Sequence, residues 1–446
     1  MGQLIILAFS VWLTWISYRD TKERTSVSWS VWIVVVWLFL HGTRPLESWF
    51  GLEGQTSRDE GSPLEATVNT VLIAAGLSVL IRRGIQWGTV ITGNVWLAVF
   101  YLFWILSITW SDYPLITFKR LIKDFGYLIM ALVVLTDKVP TQSIRAAVVR
   151  FSYICIPLSV IWIRYFPSLG REFVGYSKST LMYVGVSTHK NVLGNLVLAS
   201  TLFVLWELLE QWKEGKGKAI KRPLWKSRAM VLAMCWYLLL LIDSQTSLVC
   251  AFLGSVLLIT LFKVPSWTYN PGRIELVGIA GGTILGLVNM FVDVKEVFLE
   301  SVNRDPTLTT RTDIWPFLIE FQDNPLLGQG FNSFWAGERL VELQTVTFGI
   351  IQAHNGYIET YLNGGIIGMG LLGLLILGTY LRIRRHLIIG IPDSHIRLVI
   401  LIIAVIYNFS EASFNKIGPL WLVTVWAMMQ YRSQLSPRRH WTGASR

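Results

Sequence analysis

The segment Ala353-His354-Asn355-Gly356-Tyr357 is the last polar turn before an apolar, glycine-rich run that begins at Leu362. A histidine with an ordinary pKa of about 6.5 is available as a neutral base and can take a proton from a sugar hydroxyl. Taken alone, His354 reads first as an interfacial residue that caps or anchors the helix behind it. Its companions bear on the choice. Arg311 precedes it in the same polar stretch. A guanidinium is permanently charged and forks onto two phosphate oxygens. It could hold a diphosphate leaving group, pair with Asp313, or lie against a lipid phosphate.

More cations stand at helix starts. Arg171, His189 and Lys190 occupy one loop, and the last two head an apolar run from Asn191 to Leu209. A positive side chain at a helix N-terminus opposes the helix dipole, and an anionic ligand would remove that conflict. Snorkelling toward lipid headgroups is the other reading. Lys119, Arg120 and Lys123 likewise begin an apolar run, where they face either a phosphate or the bilayer surface. Asn355 and Tyr357, beside His354, complete the candidate substrate-binding set. No metal-ligand spacing of His or paired acids appears in the outward loops, and no phosphate-binding glycine loop or dinucleotide fingerprint occurs. The expectation is chemistry without metal or cofactor.

The elements that position these residues are membrane spans. The 446 residues are 53% hydrophobic and 15% charged, against about 25% charge in soluble chains. Apolar runs recur near 4–18, 28–41, 65–81, 90–108, 119–136, 148–165, 191–209, 229–243, 246–262, 274–292, 363–381, 396–410 and 417–431. The fold expected is an all-α integral membrane protein of about 12–13 transmembrane helices. Twenty-one tryptophans suit a chain with two membrane interfaces. The first run has neither a basic lead-in nor a small-residue cleavage site, and reads as a retained span. Cys155, Cys235 and Cys250 fall inside spans and read as small core residues.

The charge asymmetry sets the orientation. If the basic loop at 210–228 is cytoplasmic, alternation puts most Lys and Arg on that side and most acids on the other. The net charge of +11 is then a topology signal, and a nucleic-acid partner is not needed. The loops at 42–64, 109–118, 166–190, 293–362 and 411–416 face outward. The expected organisation is N-terminal transmembrane helices over 1–292, an outward catalytic loop over 293–362, C-terminal transmembrane helices over 363–431 and a cytoplasmic tail over 432–446. Within the loop, Ile314, Phe317, Leu318 and Phe321 form one face of a short amphipathic helix, with Pro316 fitting only its first turn. Asn324-Pro325 and Gly328-Gln329-Gly330 mark a tight loop. Gly364, Gly368, Gly370 and Gly373 offer close helix packing.

Five stretches together resemble the O-antigen ligase and polymerase superfamily. They are Trp110-Ser111-Asp112-Tyr113-Pro114, Thr188-His189-Lys190-Asn191, Arg311-Thr312-Asp313-Ile314-Trp315, Asn324-Pro325-Leu326-Leu327-Gly328-Gln329-Gly330 and His354-Asn355-Gly356-Tyr357. The Thr-His-Lys-Asn run is closest to the exopolysaccharide polymerase branch. The resemblance implies a GT-C-like glycosyltransferase of the bacterial inner membrane, active at the periplasmic face and inverting at the anomeric carbon. The donor would be an undecaprenyl-diphosphate-linked glycan, with a second glycan as acceptor and membrane lipids and other polysaccharide assembly proteins as partners. His354 matches the family's base and Arg311 its loop arginine. Many members carry a cation where this chain has Ser244-Gln245-Thr246. The expected reaction is polymerisation of repeat units. The alternatives are ligation of the glycan to a lipid A-core or protein acceptor, a lipid-linked glycan flippase or transporter, and an inactive assembly subunit. No internal repeat is visible to support transport.

Overall fold

The computed structural model describes residues 2–51, 62–174, 180–214, 224–278, 311–346 and 351–431. Fourteen helices carry the argument: α1 (Gly2–Glu23), α2 (Val31–Gly42), α3 (Pro63–Arg82), α4 (Val95–Leu106), α5 (Pro114–Leu135), α6 (Pro140–Tyr165), α7 (Lys190–Glu214), α8 (Trp225–Leu241), α9 (Gln245–Lys263), α10 (Arg311–Glu320), α11 (Gly337–Val346), α12 (Gly356–Ile388), α13 (Ser394–Tyr407) and α14 (Pro419–Met428). A small antiparallel hairpin, β1 (Arg171–Val174) with β2 (Thr180–Tyr183), joins α6 to α7. The protein is an all-α integral membrane protein.

Every expected span except 274–292 coincides with helix; much of that one, like the loop before Arg311 and the tail 432–446, lies outside the described residues. Among the described residues five helices are long and apolar enough to cross a membrane, or six if the pair Trp87–Gly93 and Val95–Thr109, bent by 100°, is one span. That is fewer than the expected number: the run at 274–292 lies mostly outside the described residues, and other helices fall short in length or hydropathy. Helices α2, α13 and α14 have 12, 14 and 10 residues, short of the roughly 20 that cross the hydrocarbon core upright. Helix α5 carries Lys119, Arg120, Lys123 and Asp124 in its first half, which lowers its hydropathy.

Burial ranks the helices. In α6 and α7, 83% and 72% of the apolar window is buried, and all ten residues of α14 are; in α3 the share is 17%. The bundle is therefore built around α6, α7 and α14, with α3 at its edge. Helix α14 is held at both ends. Gly418 N–H donates to the Tyr127 hydroxyl and Leu420 N–H to Asn195 Oδ1. At the other end Arg397 donates to the carbonyls of Trp426 and Met429, and Arg382 to that of Met428. Cations on the last carbonyls of a short helix satisfy orphan acceptors and oppose its negative dipole end.

The loops expected on one side do gather at one end of the bundle. Arg44 donates to Leu169 O, Ser187 to Gly42 O, Ser111 to Ser333, and Asn332 to Asn415 O. Over this end lies a second, smaller core, in which Leu318 of α10 is buried with Phe334, Leu343 and Leu362, and Ile314, Phe317 and Phe321 pack around it. The amphipathic stripe thus forms as read. Pro316 sits inside α10 and not in its first turn, because the helix already includes Arg311.

Helix α12 is broken at Gly365, whose φ of 60° and ψ of −161° leave the helical region. The Asn324–Gly330 loop is spliced into the break. Ile366 and Ile367 N–H donate to Pro325 and Leu326 O, while Gln329 and Gly330 N–H donate to Leu362 and Asn363 O. These four bonds pair backbone groups at the break, as burial requires. A Cβ on Gly365 would meet Leu326 O at 2.3 Å. Gly364 and Gly368 pack on Trp104 and Phe103, as close packing requires, but Gly370 and Gly373 face open space. The expectation for those two glycines is corrected: they lie on a different face of α12, since Gly378 farther along the helix again packs on Trp96 of α4.

Candidate functional site

A cavity of about 580 Å³ opens among the gathered loops, where the starts of α5 and α7 meet the segments 351–354 and 411–418. His354 lines it. Its backbone has φ +51°, in the left-handed region, and the next residues explain how that turn is held. Asn355 caps α12 by accepting from the N–H groups of Tyr357 and Ile358, and its amide donates to Phe409 O. Gly356 N–H donates to the carbonyls of Asn408 and Glu411. A Cβ on Gly356 would lie 1.9 Å from Asn408 Oδ1, so only glycine lets the two segments approach this closely. Ala353 is fixed on both sides, its N–H donating to Glu359 at 2.7 Å and its carbonyl accepting from Trp315 Nε1 at 2.8 Å.

The 408–416 corner supplies what His354 faces. Asn408 Oδ1 accepts from the N–H groups of Ser413 and Phe414, folding the chain back so that Glu411 and Lys416 both line the cavity. Glu411 is buried. Its Oε2 is 3.3 Å from His354 Nδ1 and its Oε1 accepts from Asn191 Nδ2 at 2.7 Å. A carboxylate on Nδ1 holds the proton there and leaves Nε2 as the acceptor, the geometry of a general base with its orienting partner. Gln352 Nε2 lies 3.3 Å from either ring nitrogen.

Cations stand across the cavity. Arg120 lines it and donates to Asn332 O. Lys416 Nζ is 3.1 Å from Glu359 Oε2, and Glu359 is buried beneath, also accepting from Trp335 Nε1. His189 accepts the Asn191 N–H on Nδ1, so the neutral ring carries its proton on Nε2. The N-terminus of the 25-residue α7 adds a positive dipole end. Among the described residues no three His, Cys, Asp or Glu side chains group to hold a metal ion. Cys155, Cys235 and Cys250 are buried and free.

Of the residues singled out from the sequence, His354, His189 and Arg120 line this cavity. The other candidates are placed elsewhere. Lys190 Nζ turns to Asp243, 3.3 Å away, and Gln245 donates to the other oxygen of the same carboxylate. Arg171 Nε donates to Ile163 O and its guanidinium stacks over Tyr183, tying the hairpin to α6. Asn355 acts as a cap, and Tyr357 donates to Val405 O while its ring packs on Phe409. The backbone of Arg311 opens α10, and its side chain lies outside the described residues. Glu411 and Lys416 are site residues that sequence reasoning missed, and Asn191 stood only within the Thr188–Asn191 run, with no role of its own. One signal was present: Glu411 and Lys416 are the only charged residues between Arg397 and Arg432.

The family model described as O-antigen ligase matches residues 229–373. The exopolysaccharide production protein ExoQ of Rhizobium meliloti (strain 1021) is 22% identical over 300 residues, which cover 64% of this chain and 64% of that protein. The chain therefore spans less than two thirds of the relative it matches. Both findings bear out the resemblance to the O-antigen ligase and polymerase superfamily.

Proposed function

We propose that this chain, a relative of the O-antigen ligases and polymerases, joins undecaprenyl-diphosphate-linked repeat units into polysaccharide at the periplasmic face of a bacterial inner membrane. The observation that carries the reading is the His354–Glu411–Asn191 array beside a cavity lined by Arg120, Lys416 and His189. An acceptor hydroxyl on His354 Nε2 gives up its proton as its oxygen bonds to the anomeric carbon of the donor. The bond from that carbon to the diphosphate breaks, and the electron pair leaves on the lipid diphosphate. Attack opposite the leaving group inverts the anomeric carbon. Preorganised cations stabilise the departing charge without a metal. Arg311, at the start of α10, would add a bidentate contact.

The description of the matched family as O-antigen ligase favours a second reading, transfer of a finished glycan to a different acceptor. Donor and leaving group are the same in both, so the residues above serve either. A strain lacking the protein separates them. Accumulated single-repeat lipid donor supports polymerisation; accumulated long lipid-linked polymer supports ligation. A strain with unchanged lipid-linked pools would contradict both.

A further inference from the structure

A second cavity, of about 200 Å³, lies between α2, α3 and α5 and shares Thr188, Val192 and Ile417 with the main cavity. Its chemistry differs from that of its neighbour. The two charged groups on its wall, Lys123 and Glu65, pair at 3.7 Å, so it presents no excess charge to an anion. His41, 7% exposed, also lines it. The His41 Nδ1 is 3.0 Å from Trp37 O; the proton is on Nδ1, and in the neutral ring Nε2 is an acceptor with no hydrogen-bond partner among the described residues. Asn69, 9% exposed, lines the same space, and its amide makes no hydrogen bond among the described residues.

Both polar side chains line the cavity with unfilled hydrogen-bonding capacity, which a bound partner can complete. The partner must donate to His41 Nε2 and both donate to and accept from Asn69. A lipid diphosphate ester carries no O–H donor and gains nothing from a charge-balanced chamber. A sugar hydroxyl does both. On the reading given under Proposed function, we infer that this side chamber is a glycan subsite: it seats one sugar ring by its hydroxyls while the diphosphate occupies the main cavity.

The test uses purified full-length protein in detergent and two probes. One is the water-soluble repeat-unit oligosaccharide released by mild acid from the host's own lipid donor; the other is undecaprenyl phosphate. Calorimetry should show that wild type binds both. Asn69→Leu and His41→Phe should each weaken oligosaccharide binding about tenfold or more and leave undecaprenyl phosphate binding unchanged, which also reports an intact fold. A second measurement does not depend on those variants. In Asn69→Cys, with the three native cysteines buried, the oligosaccharide should slow maleimide labelling and undecaprenyl phosphate should not. Absence of oligosaccharide binding to wild type, unchanged binding in both variants, or labelling that ignores the oligosaccharide overturns the subsite. If these results hold while His354→Ala still extends glycan, the proposed reaction fails and the subsite stands; the converse pattern removes only the subsite.

Discussion

Glu411 and His354 sit 57 positions apart in sequence, yet the carboxylate of one lies 3.3 Å from the imidazole of the other. The second Glu411 oxygen is fixed by Asn191 at the head of α7. Three segments thus meet at this contact, and in the proposed reaction the ring is the base. Glu411 is a positioning residue in this account.

Glu411→Ala should therefore lower kcat by about 10²-fold, the lower part of the range for general base catalysis, while KM for the lipid donor changes little. Glu411→Asp should recover part of the loss. Steady-state kinetics with purified protein and extracted donor checks the split; a rise in KM alone would make Glu411 a binding residue.

Lys416 and Lys190 make opposite predictions. Lys416 lines the cavity, so Lys416→Ala should raise KM for the donor roughly 10-fold or more, the worth of a hydrogen bond to a charged group. Lys190 is paired with Asp243 away from it, and a partly exposed ion pair is worth about 0–1 kcal/mol. Lys190→Ala should leave the kinetics near wild type. Donor titration of the two variants side by side decides between them.

Gly365→Ala should destabilise the protein by about 1–3 kcal/mol, since the new Cβ meets Leu326 O at 2.3 Å in a left-handed backbone. Thermal unfolding in detergent measures the loss. Gly370→Ala is the control: its Cβ would meet nothing within 4 Å, and its melting point should match wild type.

The helices were legible because burial in a bilayer demands long apolar runs, and the loops read to one side meet at one end of the bundle because successive spans alternate in direction. His354 and Arg120 were legible as polar groups at span boundaries. What escaped was tertiary. Lys190 looked free because Asp243, its partner, is 53 positions away. Glu411 and Lys416 sit in a short turn whose direction is set by Asn408, and no local periodicity reports that. The break in α12 was hidden because one glycine's φ does not disturb the apolar pattern from Leu362 onward, although the Asn324–Gly330 motif that fills it was visible as a loop.

The central claim is that His354 is the base that activates the acceptor hydroxyl. Its most direct test is His354→Ala, produced at wild-type level in a strain lacking the native protein, with lipid-linked glycans extracted and sized. The account predicts no extension and accumulation of unextended lipid donor. Glycan of normal length from that variant would contradict it.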